Sequence, residues 1–177
     1  LAGYGGPSAA SIATVIDAAG VVTEVVADIE SVEWSKFAGW LAMFTLAVIA
    51  RTTTGVYLEN PRLAAVGVKL VKEAVALARA RGIALVDQSP IAVVSVDAAA
   101  TPSAAAEILR DIGRNLIAQA PQHRMSALQD FDAGRRLEVH ETLGYAWRES
   151  QRLGLAAPTM ELCYELVSGL DSLPRSS

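Results

Sequence analysis

The chain has 177 residues, 52% hydrophobic and 19% charged, which suits one folded domain with a proper core and excludes a disordered tail. A net charge of -4, a pI near 5.2 and the lack of any Lys/Arg cluster on one face exclude nucleic acid as a partner. The single cysteine, Cys163, excludes an intrachain disulfide and fits a reducing compartment. It lies in Glu161-Leu-Cys-Tyr164 among apolar helix residues and reads as a buried structural thiol.

The chain begins at Leu1 in the glycine-rich stretch Gly3-Tyr-Gly-Gly6, which reads as a cut piece of a longer protein. Pro7 and Ser8 supply helix-start chemistry for an alanine-rich helix to about Ala19, ended by Gly20. Val21 to Ile29 is β-branched and mostly apolar and predicts a strand, whose sheet cannot be completed inside this chain. Neither a basic stretch leading into an apolar one nor an apolar run of roughly 18 residues is visible, so no secretory signal and no membrane span is predicted. A cytoplasmic location is the expectation.

Trp34 to Pro61 is the stretch around which the rest is organised. Its run from Phe37 to Ala50 holds no charge and one hydroxyl, Thr45, and a helix apolar all round must be buried by its neighbours. We expect this helix to reach about Thr52, with Thr53, Thr54 and Gly55 as a polar break. Lys36, Trp40 and Phe44 fall on one stripe at i, i+4 and i+8, so the lysine heads an apolar face. Such an ammonium must find a partner, snorkel to water or lose affinity for its proton, which makes Lys36 the first candidate for chemistry.

Asn60-Pro61 is a helix start, since the side chain accepts from orphan amides and proline has none to lose. The helix from Pro61 to Arg81 carries Leu63, Val66, Leu70, Ala74 and Leu77 at helical spacing, and Gly82 closes it. Ile83 to Ala100 stays open between strand and buried helix. Thr101-Pro102 opens a helix through about Gln119, with Ile108, Leu109, Ile112, Leu116 and Ile117 facing inward. Residues 122–134 read as a polar connection, Arg135 to Gly154 as a helix, and Pro158 to about Val167 as the last helix, stopped by Gly169. The end, 171–177, reads as a flexible tail. These elements predict one mainly α domain.

Several sites are excluded by spacing. His123 and His140 lie far apart with no ligand neighbours, so no metal site is predicted. No Gly-x-Ser-x-Gly elbow appears, and Gly3-Tyr-Gly-Gly-Pro7 lacks the spacing of a phosphate loop. What remains is Lys36 with the block from His123 to Glu141, where a lysine and a carboxylate converging on a pocket could bind and protonate a small oxo acid. Within it Glu138 also reads as a dipole-stabilising first-turn residue, Ser126 as a cap, and Asp130 and Asp132 as solvated.

The chain resembles the C-terminal helical domain of ketopantoate reductases, which is of the 6-phosphogluconate dehydrogenase C-terminal-like type. The similarity runs through Gly5-Gly-Pro-Ser8, Asp28, Trp34-Ser-Lys36, Arg51-Thr-Thr-Thr-Gly55 and Asn60-Pro61, then Ser126-Ala-Leu-Gln-Asp130, Gly134-Arg-Arg-Leu-Glu138, Gly144 and Ala157-Pro-Thr159. The resemblance implies an NADPH-dependent enzyme reducing 2-dehydropantoate to pantoate. It also implies that residues 1–30 lead in from a dinucleotide-binding domain and that 31–170 form the helical domain. By the same resemblance Lys36 is the general acid at the ketone oxygen. Glu138 binds the substrate hydroxyl and Ser126 its carboxylate.

Where many family members carry asparagines at i+4 and i+8 from the lysine, this chain has Trp40 and Phe44, and His140 and Leu143 replace the polar residues that follow the glutamate. Rings in place of amides make a more apolar substrate pocket, which points away from ketopantoate towards another, bulkier 2-oxo acid or ketone. Pantothenate biosynthesis and dimerisation through the helical domain stay open. A non-catalytic helical binding module and a redox-free acid–base enzyme remain as rival readings.

Overall fold

In a computed structural model of the chain, which describes residues 8–87 and 90–174, the uncharged run after Lys36 becomes the buried axis of a helical domain. The helices are α1 (Ala9–Ala18), α2 (Ile29–Ala50), α3 (Thr54–Glu59), α4 (Pro61–Ala80), α5 (Val93–Ala98), α6 (Pro102–Gln119), α7 (Ser126–Asp132), α8 (Leu143–Arg152) and α9 (Pro158–Ser172). Asp28 starts α2, its carboxylate accepting from the Ser31 amide and hydroxyl. Leu41, Ala42, Phe44, Leu46, Ala47 and Val48 then lie in the core together, which an all-apolar helix requires. By length and composition α2 is long and apolar enough to cross a bilayer, yet 61% of its most apolar window is buried inside the domain.

α2 ends at Ala50 instead of Thr52, because Arg51 turns the chain in the left-handed region at φ 51°. The arginine is held there by Phe131, whose ring lies 5.0 Å from the guanidinium, and by Asp132 at 3.4 Å. The expected polar break at Thr53–Gly55 is the start of α3, which buries Thr54, Gly55, Tyr57 and Leu58. Gly55 and Gly113 make this possible, since a Cβ on Gly55 would meet the Ile117 amide nitrogen at 2.9 Å and the Gly113 carbonyl at 3.0 Å. The two helices therefore cross backbone to backbone.

α4 forms as the Asn60-Pro61 signature predicts, with Asn60 Oδ1 accepting from the Arg62 and Leu63 amides. It packs against α2, α5 and α6. α6 likewise starts on Thr101, whose hydroxyl accepts from the Ala104 amide. Leu109 is buried and Ile108, Ile112 and Leu116 are half-buried, whereas Ile117 is exposed. Within Ile83–Ala100 the structure forms the short helix α5, opened by the Asp87 carboxylate, which accepts from the Val94 and Ser95 amides. α8 and α9 pack on each other and on α4.

Four further expectations are corrected. Val21–Asp28 forms no strand, and no strand occurs among the described residues. Val21, Val22 and Val25 lie exposed, because β-branched residues without a paired neighbour gain nothing from extension. The connection 122–134 contains α7, and the helix expected from Arg135 begins only at Leu143. Gly134 at φ +69° breaks the path, after which Leu137 and Val139 are buried while Arg136, Glu138 and His140 are exposed. That alternation is the pattern of extended chain, and it places Glu138 in a loop, not in a helix's first turn. α9 runs past Gly169 to Ser172, so the expected tail is helical at 171 and 172, while 175–177 and Gly3–Pro7 lie outside the described residues.

Candidate functional site

α2 presents Trp40 and Phe44 one turn apart, and their rings stack with centroids 4.9 Å apart at 29°. Phe44 is buried and Trp40 half-buried. α7 packs against this part of the fold and supplies Ser126, Ala127 and Asp130, while the loop after Gly134 supplies Leu137 and Glu138. These seven residues line one cleft of about 160 Å³. Four of the five residues singled out in the sequence, Trp40, Phe44, Ser126 and Glu138, therefore meet in space.

The fifth, Lys36, is exposed on α2 one turn before Trp40 and is not among the residues lining the cleft. It heads the stripe but ends in water, with no hydrogen bond or ion pair among the described residues. Glu138 is exposed, and its carboxylate has no partner among the described residues, although its carbonyl accepts from Thr142 at 2.5 Å. Ser126 is not a cap: it is the first helical residue of α7, whose N-cap is Met125 with no side-chain bond. Its hydroxyl makes no hydrogen bond among the described residues, and the residue lines the cleft.

Asp130, expected to be solvated, is half-buried in the cleft wall and accepts from Arg135 Nε at 2.7 Å. Ala127 and Leu137 also escaped the sequence reading, since neither carries chemistry that would single it out. The other substituted positions lie away from this cleft. Leu143 is buried in the core, and His140 Nδ1 faces the Tyr164 hydroxyl at 2.9 Å. A neighbouring cleft of about 280 Å³ is lined by Arg136, Leu137, Glu138 and Glu141, so Glu138 stands between the two.

No group of three or more His, Cys, Asp or Glu among the described residues could hold a metal ion. The described residues do not fit a dinucleotide either: they carry no Gly-x-Gly-x-x-Gly at a helix start to cradle a pyrophosphate.

Among solved structures the chain is similar to a PanE/ApbA family ketopantoate reductase from Ralstonia eutropha JMP134, at 24% identity and a TM-score of 0.70, over 93% of this chain and 49% of that one. It is also similar to a dimeric ketopantoate reductase from Staphylococcus aureus, at 15% identity and a TM-score of 0.67, over 93% of this chain and 51% of that one. A third likeness is to D-mandelate dehydrogenase in a ternary structure with NADH and anilino(oxo)acetate, at 18% identity and a TM-score of 0.73, over 96% of this chain and 64% of that one. At such identities these likenesses show the fold, and the chain spans about half the length of the two ketopantoate reductases. No curated protein matches the chain. The model of the family described as "Ketopantoate reductase PanE/ApbA C terminal" matches residues 28–171. That span runs from the cap of α2 into the last turn of α9 and takes in every wall of the cleft, and the chain belongs to this family of ketopantoate reductase C-terminal domains.

Proposed function

We propose that this chain is the substrate-binding and proton-donating domain of an NADPH-dependent oxidoreductase that reduces a 2-oxo acid or related ketone to the hydroxy compound. The observation that carries the reading is the cleft in which Trp40, Phe44, Ser126 and Glu138 converge, in a domain of this family. NADPH would supply the hydride from a part of the protein outside the described residues, which do not fit it. What these residues supply is binding, orientation and a proton.

The Ser126 hydroxyl donates to the substrate carboxylate, and the Glu138 carboxylate accepts from a hydroxyl where the substrate has one, as 2-dehydropantoate does. Lys36, on the open side of α2, gives a proton to the carbonyl oxygen, because an alkoxide left unprotonated would be a poor product at neutral pH. Trp40, stacked on the buried Phe44, brings ring surface to a cleft whose other lining includes the polar Ser126, Asp130 and Glu138. This favours a 2-oxo acid with an aromatic or bulky apolar side chain. The anilino(oxo)acetate held by D-mandelate dehydrogenase is of that class.

The test is NADPH oxidation by the protein as its source makes it, with benzoylformate, 2-dehydropantoate and aliphatic 2-oxo acids as substrates. Lys36→Ala should lower kcat by about 100-fold or more with the KM for NADPH unchanged. Trp40→Asn should shift preference from benzoylformate towards 2-dehydropantoate. Absence of turnover with every 2-oxo acid, or a Lys36→Ala variant with full kcat, would refute the proposal.

A further inference from the structure

A separate cleft of about 350 Å³ opens along the N-terminal part of α2, lined by Glu33, Trp34, Phe37, Glu141 and Tyr145. Three aromatic rings therefore meet two carboxylates at one surface. Trp34 and Phe37 lie edge to face with centroids 5.7 Å apart at 79°, and Phe37 and Tyr145 lie 6.5 Å apart at 63°. Rings at these angles build a corner instead of a flat wall. Trp34 and Phe37 are half-buried, and Tyr145 is 38% exposed, so the corner is open to a ligand.

Both charged groups in its lining are carboxylates, while the Lys36 ammonium stands outside the lining, three residues along α2 from Glu33. The Glu33 carboxylate has no hydrogen bond or ion pair among the described residues. Glu141 gives one oxygen to Arg136 at 2.9 Å, and its other oxygen has no partner among the described residues. The Trp34 indole already carries a cation, the Arg81 guanidinium at 5.1 Å, which pairs with Glu149 at 2.6 Å, a carboxylate shared with Arg152 at 2.7 Å. The corner thus combines ring faces, whose quadrupoles attract cations, with carboxylates that repel anions. A metal ion would gain little there, since the rings offer it no ligand atom and no metal-holding group exists among the described residues.

We propose that this cleft binds the alkylated ammonium group of a small organic cation, with Phe37 and Tyr145 against its methyl groups and Glu33 opposite its charge. The inference rests on this corner alone and is independent of the reductase reading. Titration of the protein with choline, followed by tryptophan fluorescence, tests it, with 3,3-dimethylbutan-1-ol as the uncharged isostere. Choline should give a saturable change and bind about tenfold or more tightly than the alcohol, because only the cation gains from ring faces and carboxylate. Glu33→Gln and Phe37→Leu should each weaken choline by about threefold or more, with urea midpoints confirming the fold. Glu33 is exposed, so its variant keeps the test open even where Phe37→Leu perturbs packing. No saturable change, equal binding of choline and the alcohol, or unaltered choline binding in a folded Glu33→Gln variant would overturn the proposal.

Discussion

Removal of the Glu73 side chain should destabilise a helix it does not belong to. α9 begins at Pro158 with Ala157 as its N-cap and no capping side chain of its own. The half-buried Glu73 on α4 stands in, Oε1 accepting from the Thr159 amide at 2.9 Å and Oε2 from the Met160 amide at 2.7 Å. Loss of an ordinary cap costs about 1–2 kcal/mol. A charge at a partly buried helix start adds up to about 2 kcal/mol, so Glu73→Ala should cost about 1–4 kcal/mol. Glu73→Gln keeps one acceptor oxygen and the volume but loses the charge, and should cost about half as much. At about 2–4 °C of Tm per kcal/mol for a chain of this size, Glu73→Ala should melt roughly 2–16 °C lower. Urea denaturation followed by far-UV circular dichroism gives the free energy directly. A Glu73→Ala variant within about 0.5 kcal/mol of the parent would show that the two short bonds do not cap α9 in solution.

Other substitutions test other joints. At Gly113 a Cβ would run into the Glu59 amide and sit 2.9 Å from the Gly55 carbonyl, so Gly113→Ala should cost about 2–3 kcal/mol despite alanine's better helix propensity. Gly169→Ala, in α9 with nothing within 4 Å, should instead stabilise by up to about 1 kcal/mol, and equal urea midpoints for the pair would sink the close-crossing argument. Glu149 is lowered from the ordinary 4.5 to about 2 by its hydrogen bond to Arg152 and then by Arg81. Its contribution is therefore full above 4.5 and is lost as the pH falls through 2, so Glu149→Gln should flatten the acid limb of a stability curve across that window. An unchanged limb would count against the pairing. Burial, followed by the charge of Glu73, pushes the Cys163 thiol up to about 11. The folded protein should resist a disulfide reagent at neutral pH and react only with urea present, and rapid labelling of the native state would contradict the buried position.

What could be read from sequence was what local chemistry decides. α4 and α6 announce themselves through Asn60-Pro61 and Thr101-Pro102, because a cap satisfies amides a few residues away. α3 was hidden, since Thr54-Gly55 reads as a break until Gly113 is brought against it from a distant part of the chain. Val21–Asp28 misled in the opposite sense: its composition suits a strand, but no partner strand exists among the described residues. At the site, Trp40 and Phe44 follow from helical spacing and Ser126 and Glu138 from family likeness. The Arg135 pairing that draws Asp130 into the cleft wall depends on how α7 meets the next loop, which periodicity does not encode. The aromatic corner was equally invisible, because Tyr145 and Glu141 join Trp34 and Phe37 only through tertiary packing.

The Leu137 amide donates to the Asp171 carboxylate, at 3.2 Å to one oxygen and 3.4 Å to the other. Asp171 lies in the last turn of α9, whereas Leu137 directly precedes Glu138 in the loop. Exchange of the Leu137 amide with heavy water should therefore follow the opening of the end of α9 instead of the mobility of its own loop. Shortening or loosening the chain near its C-terminus would then free the carboxylate that stands between two clefts, even though nothing in the cleft walls had been altered.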